Sequence, residues 1–291
     1  MLLTVDDPDF TSARIAIAGL GLMGGSLALA LRGKVRELVG VDVDPVVLAS
    51  ACQRGVVDRA ATLPEALAAC DVLVLAAPVR GILAQLAELQ RLPAPARMVT
   101  VLDLGSTKAE IVSAMQALPA GYDPLGGHPM CGKEVSGLAH AEATLFQNKV
   151  FVLVPLERTS PAALARARAL AEAVGARPWQ LPPEHHDHLA AVASHLPFMA
   201  ASALVGAAAS VDEEDVWTMA ASGFRDTSRL AASDVNMMLD ILLTNRGPLL
   251  ETLARYRDEL EALMALVAAG EAEALRARLT EIRAERRRRF P

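Results

Sequence analysis

RIAIAGLGLMGGSLALALR, residues 14–32, decides the fold. Its first five residues, Arg14–Ala18, form a short apolar run with β-branched members, the composition of a buried strand. Gly19-Leu-Gly21-Leu-Met-Gly24-Gly25-Ser26 follows at once, then the apolar LALALR, so the order is strand, glycine turn, helix. The spacing has a mechanism. Gly19 makes the tight turn, Gly21 lets backbone approach a pyrophosphate, and Gly24 lets helix and strand pack closely. The helix N-terminus at Leu22 and Met23 then faces the phosphates. The next strand, Leu38–Val43, carries Asp42 near its end, at about the ~20-residue distance expected of an acid that binds a ribose. A carboxylate accepts from a free 2′-hydroxyl but repels a 2′-phosphate, and no Arg or Lys follows in Val43-Asp44-Pro45. NAD is therefore favoured over NADP. The competing reading of Asp42 is a simple strand-end turn acid.

Working outward, more strand-and-helix units follow. Val72–Ala76 ends in Ala77-Pro78, Met98–Asp103 ends in Gly105-Ser106, and Val150–Val154 comes next. A helix over about Pro161–Val174 and a run at Arg177–Leu181 complete the series. Such alternation predicts a parallel, doubly wound α/β sheet with helices on both faces. Ligands collect beyond the carboxyl ends of strands in such sheets, which puts Ala77 and Pro78 with the cofactor and places Pro78, Ser106 and His128 in loops of that type. Ser106 reads equally as the N-cap of the helix after it. From Pro182-Pro183 onward long Ala/Leu periodicity replaces β-branched runs, so the second part is expected to be all helical. The division is residues 1–182, a NAD-binding domain of the Rossmann type, and residues 183–291, a helical domain.

The 291 residues suffice for two domains with separate cores. A formal charge of −6 argues against nucleic acid or an anionic membrane as partner. Arg286–Arg289 are locally basic but close a helical pattern, where cations suit the dipole. Cys52, Cys70 and Cys131 match neither a disulfide framework nor a zinc site, which fits a reducing cytoplasm. The first residues, MLLTVDDPDF, carry acids where a signal peptide needs cations, and no apolar run is expected to reach membrane-spanning length.

The chemistry is sought in Leu125–Gly132, LGGHPMCG, where His128 lies among Gly126, Gly127 and Gly132. Alone, this reads as a surface turn as readily as an approach path to a reacting group. Cys131 as a nucleophile would need a lowered thiol pKa, and a buried filler is the better reading. His185-His186-Asp187 and Ser194-His195-Leu196-Pro197-Phe198 invite a metal site, but Pro197 should kink the helix and no ligand triad has the spacing. Gly223-Phe-Arg225-Asp226-Thr-Ser-Arg229 is the remaining polar cluster. Its arginines are either surface charges or a bidentate carboxylate clamp. The tail from Leu249 reads as amphipathic helices, exposed or packed on a partner.

Taken together, GLGLMGGSL at 19–27, DLGSTK at 103–108, GGHPMCGKEVSG at 126–137, HHDHLAAVASHLP at 185–197 and GFRDTSR at 223–229 resemble the prephenate and arogenate dehydrogenases of tyrosine biosynthesis. The resemblance implies a Rossmann-type domain followed by a helical dimerisation domain, and hence a homodimer. It implies NAD-linked oxidative decarboxylation of a cyclohexadienol. His128 takes the ring hydroxyl proton as a neutral base, and Ser106 orients that hydroxyl or the nicotinamide. Arg229 holds a substrate carboxylate, Ser194 and Gly127 line the substrate, and His186 reaches toward a neighbouring subunit's site. Phe198 stands where many prephenate-specific relatives carry a second histidine, and Met238 where a Trp is common. A pocket lacking one cationic donor tolerates an ammonium group better, so acceptance of arogenate is expected.

No appended regulatory or mutase domain is expected, and tyrosine inhibition would then be competitive. Two other readings remain. A hydroxyacid dehydrogenase on the same scaffold would want a catalytic lysine in the second domain, and no lysine follows Lys149. A non-catalytic NAD sensor would leave His128, Ser106 and Arg229 without a shared purpose.

Overall fold

The computed structural model describes residues 10–290. The stretch read for a signal peptide lies outside them except for Phe10. Two compact units divide the chain, Met1–Asn245 and Arg246–Pro291, so position 182/183 falls within the first.

The first unit is built on eight strands: β1 (Arg14–Ala18), β2 (Glu37–Val41), β3 (Arg59–Ala60), β4 (Val72–Leu75), β5 (Val99–Asp103), β6 (Tyr122–Pro129), β7 (Val150–Pro155) and β8 (Arg177–Gln180). Their order is β3-β2-β1-β4-β5-β6-β7-β8. The helices between them are α1 (Leu22–Leu31), α2 (Pro45–Gln53), α3 (Leu63–Leu67), α4 (Val79–Leu89), α5 (Ala109–Gln116) and α6 (Pro161–Ala173). Strand side chains alternate between faces. Ile15, Ile17, Val72 and Val74 accordingly share one core with Leu27 and Leu31 of α1 and Leu170 of α6. Ala16, Ala18, Leu73 and Leu75 share the other with Ile82 and Leu86 of α4 and Met115 of α5. A sheet buried on both faces needs continuous apolar strands, which is why VLVL of β4 is buried throughout.

Two expectations about the sheet change. LGGHP is not a loop, because Leu125–Pro129 are the second half of β6, between β5 and β7. Two prolines and two glycines hide this strand from any propensity reading. One glycine is required there by space: a Cβ on Gly127 would come within 2.5 Å of the Asp103 carbonyl oxygen. Nor is the sheet parallel throughout, since β7 runs antiparallel to β6. Between these strands the chain forms only a 3₁₀ turn, Leu138–His140, and without a crossover helix it returns in the opposite direction.

The helical part of the first unit runs α7 (Pro183–Ala190), a π turn (Ala191–His195), α8 (Leu196–Ala209), α9 (Asp215–Met219), α10 (Ser222–Ser228), a 3₁₀ turn (Arg229–Ala232) and α11 (Val235–Thr244). Pro197 does not break the helix. The π turn, closed by Leu196 N–H donating to the Ala191 carbonyl, precedes it and carries α7 into α8. By length and composition Pro183–Ala209 is 27 residues that suffice to cross a membrane, contrary to the sequence expectation. His186, Asp187 and His195 within it are buried and hydrogen-bonded to protein groups.

The second unit is α12 (Arg246–Ala269) and α13 (Ala272–Arg289), joined at Gly270 and tied by Arg278 donating to Glu259 at 2.6 Å. The arginines 286–289 close α13, as read.

Candidate active site

The glycine turn is built as its spacing implies. Gly19 sits at φ +105°, and a Cβ on Gly24 would stand 1.9 Å from the Gly19 carbonyl oxygen, so α1 can begin only this close to β1 with glycine there. A Cβ on Gly21 would meet no atom within 4 Å and would instead occupy the adjoining cavity. Asp42, just beyond β2, accepts from Leu20 N–H at 2.7 Å and from Asp44 N–H at 3.0 Å. Its carboxylate is thereby fixed beside the turn, with lone pairs left for hydroxyl donors.

A cavity of about 730 Å³ opens at the carboxyl ends of β1, β4, β5 and β6. Gly21, Leu22, Met23, Ala77, Pro78, Ser106, His128 and Ser194 border it, so one space gathers most of the candidates. Phe198 and Met238 border it too. A second cavity, about 490 Å³, is bordered by Asp42, Val43, Leu48, Ala61 and Leu63, with Gln85 and Glu88 from α4. Asp42, Glu65 and Glu88 make it acidic, and among the described residues neither lysine nor arginine borders it. Gln85 Oε1 is buried without a partner among the described residues.

His128 lies at the end of β6, opposite Val152 of β7. Its Nδ1 is 2.8 Å from His186 Nε2, and His186 Nδ1 is 2.8 Å from Asp187 Oδ1. Asp187 also accepts Lys108 N–H at 2.7 Å and Ala109 N–H at 2.8 Å, which caps α5. Ser106 therefore does not cap that helix and stands free to border the cavity. Asn245 donates to the Asp187 carbonyl oxygen at 2.8 Å and lies 3.1 Å from His195 Nδ1.

Burial first, then His186, Lys108 and His195, hold the His128 imidazole well below its usual pKa. Burial pushes His195 down to about 4 against the pull of Asp187. Lys108 is lowered by burial although it is ion-paired with Asp103. Cys131 is pushed up to about 12 by burial, so it is a thiol and no nucleophile.

Three of the substrate-binding candidates do not line the cavity. The Gly127 amide is spent on Asp103 Oδ1 at 3.0 Å, so its backbone holds β5 to β6 and not a substrate. His186 is 2 % exposed and bonded within its own chain, not extended toward another subunit. Arg229 is solvent-exposed and ion-paired with Glu134, which does border the cavity. Sequence reasoning missed Asp187 as a cap, Glu134 as the arginine's partner, and the Asp103–Lys108 pair. No local signal marked Asp187, because Ser106 stood where a cap for α5 is expected and the actual cap comes from 79 residues away. Among the described residues no group of three or more His, Cys, Asp or Glu is arranged to hold a metal ion.

Comparison with known proteins places this geometry. The family model described as prephenate dehydrogenase, nucleotide-binding domain, matches residues 27–179, and the one described as prephenate dehydrogenase, dimerization domain, matches residues 182–281. A prephenate dehydrogenase of Bacillus subtilis is 34% identical over 269 residues, covering 90% of this chain and 72% of that one. The crystal structure of a prephenate dehydrogenase from A. aeolicus, in complex with hydroxyphenyl propionate and NAD+, superposes with a TM-score of 0.87 at 30% identity. That match covers 95% of this chain and 98% of the other. An arogenate dehydrogenase from Synechocystis superposes with a TM-score of 0.80 at 32% identity, covering 95% and 100%.

Proposed function

The chain belongs to the prephenate dehydrogenase family, and from that premise we propose how its residues divide the work of an NAD-dependent oxidative decarboxylation. The division falls at 182/183, with the sheet holding the dinucleotide and the helices carrying substrate contacts and a homodimer interface. The bounds of the two family models support it.

The nucleotide-binding residues fit NAD. Gly21, Leu22 and Met23 form the cradle a side chain would fill, and α1 offers its N-terminus there. Asp42 takes the ribose, and the acidic second cavity disfavours a 2′-phosphate. The apolar walls of that cavity would suit the adenine, with Gln85 beside it as an unpartnered polar side chain. When bound, NAD supplies the hydride acceptor.

The chain's own residues do the rest. His128 keeps Nε2 for the ring hydroxyl and takes its proton as hydride leaves the carbinol carbon and the ring carboxylate departs as carbon dioxide. A base held neutral by burial suits that task. Ser106 orients the same hydroxyl or the nicotinamide, and Ser194 lines the ring. Arg229 has five donors and can hold Glu134 with one edge while offering another to the substrate carboxylate. Phe198 and Met238 bring no cation to the cavity, and the lysine that borders it, Lys133, is paired with Glu142, so arogenate is accepted alongside prephenate. A cytoplasmic setting rests on three free cysteines.

The carrying observation is the convergence of His128, Ser106 and the glycine turn on one cavity. The test is an NADH-formation assay with prephenate and arogenate, each with NAD and with NADP. Turnover with NAD on either substrate is expected, and strict use of prephenate would sink the arogenate reading.

A further inference from the structure

We propose that His186 and Asp187 are positioning residues that fix the tautomer of His128, so that Nδ1 carries the proton and Nε2 is the bare base. The inference rests on the catalytic reading of His128 and extends it to two buried groups whose roles that reading leaves open.

The argument starts at α5. Its first amides, Lys108 and Ala109, point at the two oxygens of Asp187, and a carboxylate is favoured at the positive end of a helix. An oxygen already accepting a backbone N–H makes His186 Nδ1 the donor in the 2.8 Å contact with Asp187. If His186 carries its proton on Nδ1, its Nε2 is an acceptor in the neutral ring. The 2.8 Å contact with His128 then requires His128 Nδ1 to donate. The reverse direction would need protons on both nitrogens of His186, a second buried cation next to His128, on which the Lys108 ammonium already acts. The direction of the chain is thus set 58 residues away from His128, on a different element.

The charged and titratable groups around His128 are few. Lys108 from the β5–α5 turn is held by Asp103, His195 from the π turn lies near Asn245, and His186 and Asp187 come from α7. Asp187 is the carboxylate to which the histidine pair connects. It also caps the helix that follows Ser106, so one side chain places both the base and the turn carrying its neighbour in the cavity.

Nitrogen-15 spectra of the protein labelled only at its six histidines read the tautomer directly, without cofactor or substrate. Wild type is expected to show His128 with a protonated Nδ1 and a bare Nε2. A His128 resonance of the opposite tautomer would overturn the proposal. His186→Leu should remove that preference and lower kcat by roughly 10²-fold or more with KM for NAD unchanged. His186→Gln, whose Oε1 takes the place of Nε2 as acceptor, should keep the wild-type tautomer and restore kcat to within about tenfold of wild type. Equal losses in both variants would also overturn it, since a merely structural role would not separate them. If no activity is found on either cyclohexadienol, the catalytic reading fails, while the spectrum still decides the tautomer.

Discussion

The two charged anchors of the site differ in kind. Asp187, His186 and His128 are linked by two hydrogen bonds of 2.8 Å, and the first two residues are 2 % exposed. Arg229 and Glu134 pair in solvent, with side chains 61% and 39% exposed. A buried chain with every group satisfied has one arrangement, because breaking any link strands a polar group in a low-dielectric interior. An exposed ion pair contributes about 0.2–1 kcal/mol and is readily rearranged. The first kind suits a base whose proton must be in one place. The second suits a cation that keeps one edge open for a further carboxylate.

The largest expected effect would break the comparison outright. His128→Asn should lower kcat by about 10²–10⁴, measured at saturating NAD and substrate. A near-normal turnover number would remove His128 from the chemistry and make the buried chain structural only. Next in size, Arg229→Ala should raise KM for substrate by roughly ten- to hundredfold with little change for NAD, as expected for loss of a charge-assisted contact. Parallel losses in both constants would point to misfolding.

A pH profile sharpens the same contrast. On the proposed mechanism His128 acts unprotonated, and its pKa is lowered, so kcat/KM should hold steady as pH falls through the usual imidazole value of about 6.5 and decline only below it. An acid limb centred at or above ~6.5 would contradict the burial of this base. His195 gives a stability counterpart. Its folded pKa, about 4, lies below the unfolded value, so the unfolded chain binds more protons in between. Its contribution is complete above about pH 6.5 and is lost as pH falls toward 4. Thermal melts over that window should therefore show a falling Tm, and His195→Gln should flatten the slope. The smallest effect belongs to the exposed pair: Glu134→Gln should change Tm by no more than a degree or two.

These regions also differ in how far the sequence disclosed them. The glycine turn, Asp42 and the alternation of strands and helices are local signals, and each stands where its spacing implied. So does the switch to helices after β8. What escaped is long-range. Asp187 meets Lys108 across 79 residues, and nothing near either residue announces the other. β6 escaped for the opposite reason: its prolines and glycines speak locally for a turn, while β5 and β7 on either side hold it as a strand. His186 was noticed, but its partner could be found only once α7 was folded against β6. The membrane-length span at Pro183–Ala209 belongs here too, since composition counts its alanines and not the contacts of its few polar residues.

The π turn at Ala191–His195 gives the long helix two independent phases. Upstream, His186 and Asp187 are locked in register with the sheet; Ser194 within the turn, and Pro197 and Phe198 downstream, border the cavity. A π turn amounts to one residue more than an α-helix would use, and each residue of α-helix rotates the chain by about 100°. Because the turn absorbs that extra residue, deleting a single residue within 191–194 would let the helix run through as plain α with Phe198 still turned to the cavity and His186 still in place. A plain α-helix of unchanged length would instead turn Phe198 by about 100°, so the extra residue is what aims this wall of the cavity.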